Sequence, residues 1–390
     1  MSITLNAGYI PLVDAAPLII AHELGFGEEE GLALNLHKAP SWSTLRDLLA
    51  LGQIEAAHML APVPVATALG IGGMPVQLEA LSVLSVNGNV IGVSPQLALR
   101  LREHGYRFDF KDATAAGRAL IATKQRLRIG VPFPFSMHAE LLFYWLNSLG
   151  LPAPQALVIR TVPPPLMAQA MANGEIDAFC VGEPWGSIAV ENGVGELLLP
   201  GNAIWNFAPE KVLATRKGWA DADPDLTGRL VRAVWRAGRW LGQSSNTTTA
   251  AEILSRTDYL GVSAEVIDRA LSGRLVISAR GGERKTPRFV EFFEGAATFP
   301  WKSQAAWIGG QIAARLGLDR DDAMRKAREV FRSDLHRQHL SRTTSDLPGA
   351  SEKIEGSLSQ KTAVASESGK LFLLPDQFFD GRIFDPTEST

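Results

Sequence analysis

Cysteine is nearly absent from this chain: Cys180 is the single one, so no intrachain disulfide can form, and no CxxC redox or zinc motif exists. It sits within an apolar stretch, where an inert packed thiol is expected rather than a nucleophile. Long apolar runs are missing too; none approaches the ~18 residues that a membrane-spanning helix needs. Charge of one sign is scarce, with a net charge of −3 over 390 residues. That gives no general attraction to nucleic acid or to an anionic membrane, and any basic site must be local. The motifs of covalent and phosphate chemistry are lacking. There is no G-x-S-x-G elbow and no Walker loop, and Gly70-Ile71-Gly72-Gly73 is without the Lys-Ser/Thr that phosphate chemistry needs. His22-Glu23 opens like a zincin motif, but Phe26 stands at the second His position. No enzyme, metal or cofactor is therefore expected. The first 37 residues contain no Lys or Arg, unlike a secretory signal, so the chain reads as cytoplasmic.

What the chain has is alternation. Strands are expected at 3–8, 32–37 and 55–60, with helices at 14–24 and 43–51 between them. The order returns after Arg128, with strands at 128–131, 156–161 and 176–181 and helices at 136–148 and 166–172. The stretch 50–64, ALGQIEAAHMLAPVP, is echoed by 171–185, MANGEIDAFCVGEPW: helix end, glycine, apolar strand, proline turn. This ordered series predicts an α/β protein of two similarly built lobes, each a mainly parallel sheet flanked by helices, with a ligand cleft between them. Residues 1–84 open the first lobe, 85–212 form the second, and 213–340 return as helical material to complete the first. Residues 341–369, rich in Ser, Thr, Lys and Glu, read as a solvated linker. The apolar tail, 370–390, should pack back on the body.

In such a fold the loops just after strands carry the ligand. Ser136 is placed to cap a helix whose first turn holds His138, and a helix N-terminus suits an anion. A histidine there can equally be a cap or a packed core residue. Lys211, where the chain starts back, offers a fixed positive charge, against the plainer reading of a surface ion pair. Trp42 precedes another helix and offers one N–H donor, although lining a core is the commoner role for tryptophan. Asn89 adds an amide on the crossover segment. Gly182, Glu183, Pro184 and Trp185 form a turn that shapes the cleft wall and hinge.

Several strings together resemble the nitrate-binding family of ABC-transporter solute-binding proteins, of the type II periplasmic-binding-protein fold. They are GYIPLVDAAP at 8–17, PSWSTLRDL at 40–48, DAFCVGEPW at 177–185, PEK at 209–211 and FPWKSQAAW at 299–307. The resemblance implies nitrate or nitrite contacts from Trp42, His138, Lys211, Asn89 (in place of the family's glutamine) and the backbone of Ala139. Bicarbonate-binding relatives look to carry an acid where Lys211 stands, which favours nitrate or nitrite here. With no export signal read, the chain resembles cytoplasmic NasS-type sensors of that family. Those imply a partner, an ANTAR-domain antiterminator of the NasT type, released on anion binding. The alternative is the substrate-binding component of an ABC-type nitrate/nitrite transporter.

Overall fold

Apolar strands punctuated by Gly and Pro give ten principal strands. In chain order they are β1 (Ile3–Tyr9), β2 (Leu32–Lys38), β3 (Ala56–Leu60), β4 (Leu78–Asn87), β5 (Asn89–Val93), β6 (Arg128–Val131), β7 (Val158–Thr161), β8 (Ala178–Gly182), β9 (Glu196–Pro200) and β10 (Pro209–Arg216). The computed structural model describes residues 2–73, 75–341 and 343–388; Met1, Met74, Arg342, Ser389 and Thr390 lie outside the description.

Two sheets result. One has the order β4-β10-β3-β1-β2, with Val290–Glu291 paired to the outer edge of β4, and the other β7-β6-β8-β5-β9. Each holds a parallel trio, β2-β1-β3 and β7-β6-β8, which is the repeated order expected from the two halves. Beside each trio lies an antiparallel strand, β10 in the first sheet and β5 in the second. These are the strands that cross between lobes. A strand arriving from the other lobe enters its sheet from the opposite end, so the sheets are mixed rather than mainly parallel. The outward crossing falls at Asn87-Gly88, both at positive φ, and the return is already made at Pro209.

The first lobe is completed by the helix Pro224–Leu241, whose cap, Asp223 Oδ1, accepts from Leu226 N–H at 3.0 Å. Its buried face, including Leu230, Val234 and Ala237, packs on the first-lobe helix Ala16–Glu23.

The solvated linker expected at 341–369 requires correction, because residues 343–369 are anchored to the body at several points while much of their surface faces solvent. Leu347 and Glu355 are buried, and Arg337 donates to Pro348 O, Ala350 O and Ser351 Oγ. Several of its polar residues, Ser351, Glu352, Lys353 and Glu355 among them, find protein partners, which composition cannot reveal. In the tail, Phe378 stacks on Trp205 at 4.7 Å. The lobes meet directly: Val13 N–H donates to Glu183 O at 2.8 Å, and Trp185 Nε1 donates to Pro11 O at 2.8 Å.

Candidate functional site

Six elements converge where the lobes meet. Trp42 opens the helix Trp42–Ala50, which Ser41 caps by accepting from Thr44 N–H at 3.2 Å. His138 lies in the first turn of the helix Met137–Ser148, which Ser136 caps through Ala139 N–H. Asp14 sits in the turn after β1, His58 on β3, and Asn89 at the start of β5. Glu210 and Lys211 are neighbours on β10, where side chains ordinarily alternate between faces. The register with β4 shifts on both sides of Lys211, and such an irregularity re-aims side chains. Both head groups thereby point into one buried cluster.

Lys211 is fully buried and donates to Asp14 Oδ2 at 2.7 Å and to Glu210 Oε1 at 2.9 Å. Its ammonium lies 5.5 Å from the centroid of the Trp42 ring. His58 Nε2 stands 2.9 Å from Asp14 Oδ1, and Asn89 Nδ2 donates to Glu210 Oε2 at 2.8 Å. His138 Nδ1 is 3.2 Å from Glu210 Oε1, yet off the line of a hydrogen bond. Five buried polar atoms here have no hydrogen-bond partner among the described residues: Trp42 Nε1, His58 Nδ1, Asn89 Oδ1 and both nitrogens of His138. Buried polar atoms are ordinarily paired, so such a concentration marks a place built for something else to bind.

The electrostatics follow from burial and charge. Burial works against the charge of Lys211, but Asp14 and Glu210 outweigh it and hold the ammonium above its ordinary range. Burial likewise opposes the Asp14 carboxylate, and Lys211 and His58 outweigh it, holding Asp14 well below the carboxylate range. Burial pushes Glu210 up to about 7, with Lys211 pulling the other way. Burial, assisted by the charge on Lys211, keeps His138 well below its ordinary value and hence neutral.

The structure thus brings Trp42, Asn89, His138 and Lys211 together. Ala139 lies in the same helical turn as His138, and its N–H bonds to Ser136 Oγ at 3.2 Å and Ser136 O at 3.0 Å. Of the hinge set, Gly182 is close to the cluster; a Cβ added there would lie 3.6 Å from Asp14 Oδ2 and 3.8 Å from His138 Nε2. Glu183 accepts from Ser187 N–H at 3.1 Å, Pro184 follows a cis peptide bond, and Trp185 reaches across to Pro11. Asp14, His58 and Glu210 were not singled out from the sequence, although Asp14 and Glu210 lie within the GYIPLVDAAP and PEK strings. Cys180 is buried, and burial holds its thiol well above the usual range. Among the described residues no group of His, Cys, Asp and Glu could hold a metal ion, and no helix is long and apolar enough to cross a membrane.

Residues 2–255 match the pattern of the NMT1-like family. The chain belongs to that family. It is 30% identical over 398 residues to the nitrate/nitrite binding protein NrtA of Synechococcus elongatus, an alignment that covers 98% of this chain and 83% of that one. It is also 34% identical over 318 residues to the nitrate import ATP-binding protein NrtC of Synechocystis, covering 80% of this chain but only 46% of that longer relative. In three dimensions it superimposes on the periplasmic nitrate-binding protein NrtA of Synechocystis PCC 6803 with a TM-score of 0.83 and 28% identity, covering 99% of this chain and 96% of that one. The two-lobed fold is that of the periplasmic binding proteins. A ligand-binding component of an ABC-type import system from Staphylococcus aureus, 17% identical with a TM-score of 0.65, shares it.

Proposed function

We propose that this NMT1-like family member is the anion-binding component of an ABC-type nitrate/nitrite importer. The observation that carries this reading is the convergence of Trp42 Nε1, His138 and Lys211 on one buried cluster fed by both lobes. Nitrate has acceptor oxygens and no donor, so N–H groups and an ammonium are the partners it needs. Residues of the second lobe (Asn89, His138) and of the first (Trp42, Lys211) would both grip the anion. Ligand then favours the closed arrangement of the lobes, and closure is what a transporter can read.

Titration calorimetry with nitrate, nitrite, bicarbonate and chloride tests the reading. The expected result is one site for nitrate or nitrite, with bicarbonate and chloride at least ~100-fold weaker. Equal binding of all four, or of none, overturns it. A pull-down with and without nitrate covers the sensor alternative. Nitrate-dependent release of an ANTAR-domain antiterminator would assign the chain to cytoplasmic regulation rather than import.

A further inference from the structure

The cluster around Lys211 has a charge imbalance with consequences for any anion. One ammonium faces two carboxylates at 2.7 and 2.9 Å, all three groups buried, so the protein already supplies a surplus of negative charge. Adding a nitrate to that surplus in a dry site is strongly unfavourable unless a proton enters with it.

We infer that the anion binds together with a proton, and that Glu210 is the group that takes it up. The inference rests on the nitrate reading of this site and specifies its regulation. The balance is simple: the Glu210 carboxylate, a solvent proton and nitrate become a neutral carboxylic acid beside a bound nitrate. Lys211 keeps Asp14 as its counter-ion, and its positive field becomes available to the anion.

Geometry supports the choice of Glu210. As placed, Asn89 donates to Glu210 Oε2 while its own Oδ1 has no partner. With the amide turned over, Oδ1 faces that oxygen and accepts from a protonated carboxyl, so one rotation about the side-chain torsion serves both protonation states. The other titratable groups facing Glu210 keep their charge across neutral pH. Asp14, from the turn after β1, is held low by Lys211 and His58 despite burial. His58 on β3 and His138 on its helix are kept neutral by burial, and Cys180 on β8 is held up by burial. Burial places Glu210 near 7, where a proton is readily exchanged. Glu183 is also pushed up to about 7 by burial, but its carboxylate is turned onto Ser187 N–H.

The test is nitrate calorimetry in buffers of different ionisation enthalpy, on wild type and Glu210→Gln. At about pH 8 wild type should take up about one proton per nitrate, and its affinity should fall about tenfold per pH unit above neutrality and flatten below about pH 6. Glu210→Gln, with Gln donating to the turned-over Asn89, should bind nitrate without proton uptake and without the pH slope. Nitrate binding by wild type with neither uptake nor slope overturns the inference and leaves the nitrate reading standing. Proton uptake that persists in Glu210→Gln places the proton elsewhere, on Glu183 or His138, and overturns the assignment to Glu210. Absence of nitrate binding at every pH overturns the functional reading itself. The wild-type measurement decides whether a proton enters even where the variant does not fold.

Discussion

Among the described residues, Lys211 and Lys353 are each held by two carboxylates, Lys211 fully buried and Lys353 partly so, and only the first marks a site. Lys353 pairs with Glu355 and Asp376, and each acid has a further partner: Ser303 Oγ donates to Glu355 Oε1 at 2.6 Å and Leu358 N–H to Asp376 Oδ1 at 2.8 Å. That cluster ties the 341–369 stretch and the tail to the body. Lys211 has the same ion-pair chemistry, yet five polar atoms around it, from both lobes, have no partner among the described residues, whereas both acids on Lys353 are held by further protein donors. A buried ion pair is therefore weak evidence for function. The unpaired donors around it, drawn from both lobes, are the stronger sign.

Substitutions can break this contrast. Lys211→Met should lower nitrate affinity by at least ~100-fold, since it removes the buried counter-charge, whereas Lys353→Met should leave affinity within about twofold. Lys353→Met should instead cost about 3–5 kcal/mol of stability by stranding two carboxylates, read from denaturant unfolding. Equal effects of the two on nitrate would erase the distinction. Gly201→Ala comes next, because its Cβ would fall 1.8 Å from Asn89 Oδ1 and must displace that amide. We expect about 1–3 kcal/mol of destabilisation together with weaker nitrate binding. Trp42→Phe keeps an aromatic ring and removes an N–H that has no protein partner. Nitrate affinity should drop about tenfold, and because the ring is fully buried the smaller phenyl should also cost about 1–3 kcal/mol of stability, read from denaturant unfolding. The smallest effect belongs to Ser136→Ala, which removes a helix cap for about 1 kcal/mol of stability and leaves affinity within about twofold.

How much of this was legible in the sequence depends on the range of the interaction. The caps Ser136 and Asp223 act within three residues, and local chemistry identifies them. The repeated strand order shows in periodicity and punctuation, so both parallel trios were readable. Asp14 was not, because its role is to meet Lys211 across 197 positions. His58 sits in an apolar strand and looks like core until Asp14 is placed beside it. Glu210 is hidden from a sequence reading because strand alternation sends it away from Lys211, and only the register shift on β10 returns it. The anchoring of the 343–369 stretch is illegible for a related reason: composition counts polar residues and says nothing of their partners.

The central claim is that the Lys211 cluster is where the anion sits, and a crystal structure of the nitrate complex tests it most directly. The account predicts nitrate oxygens within about 2.7–3.2 Å of Lys211 Nζ, Trp42 Nε1 and a ring nitrogen of His138, with the lobes closed. Nitrate located instead in the open cleft of about 1290 Å³ lined by Arg232, Arg236 and Arg239, with the Lys211 cluster unchanged, would contradict it.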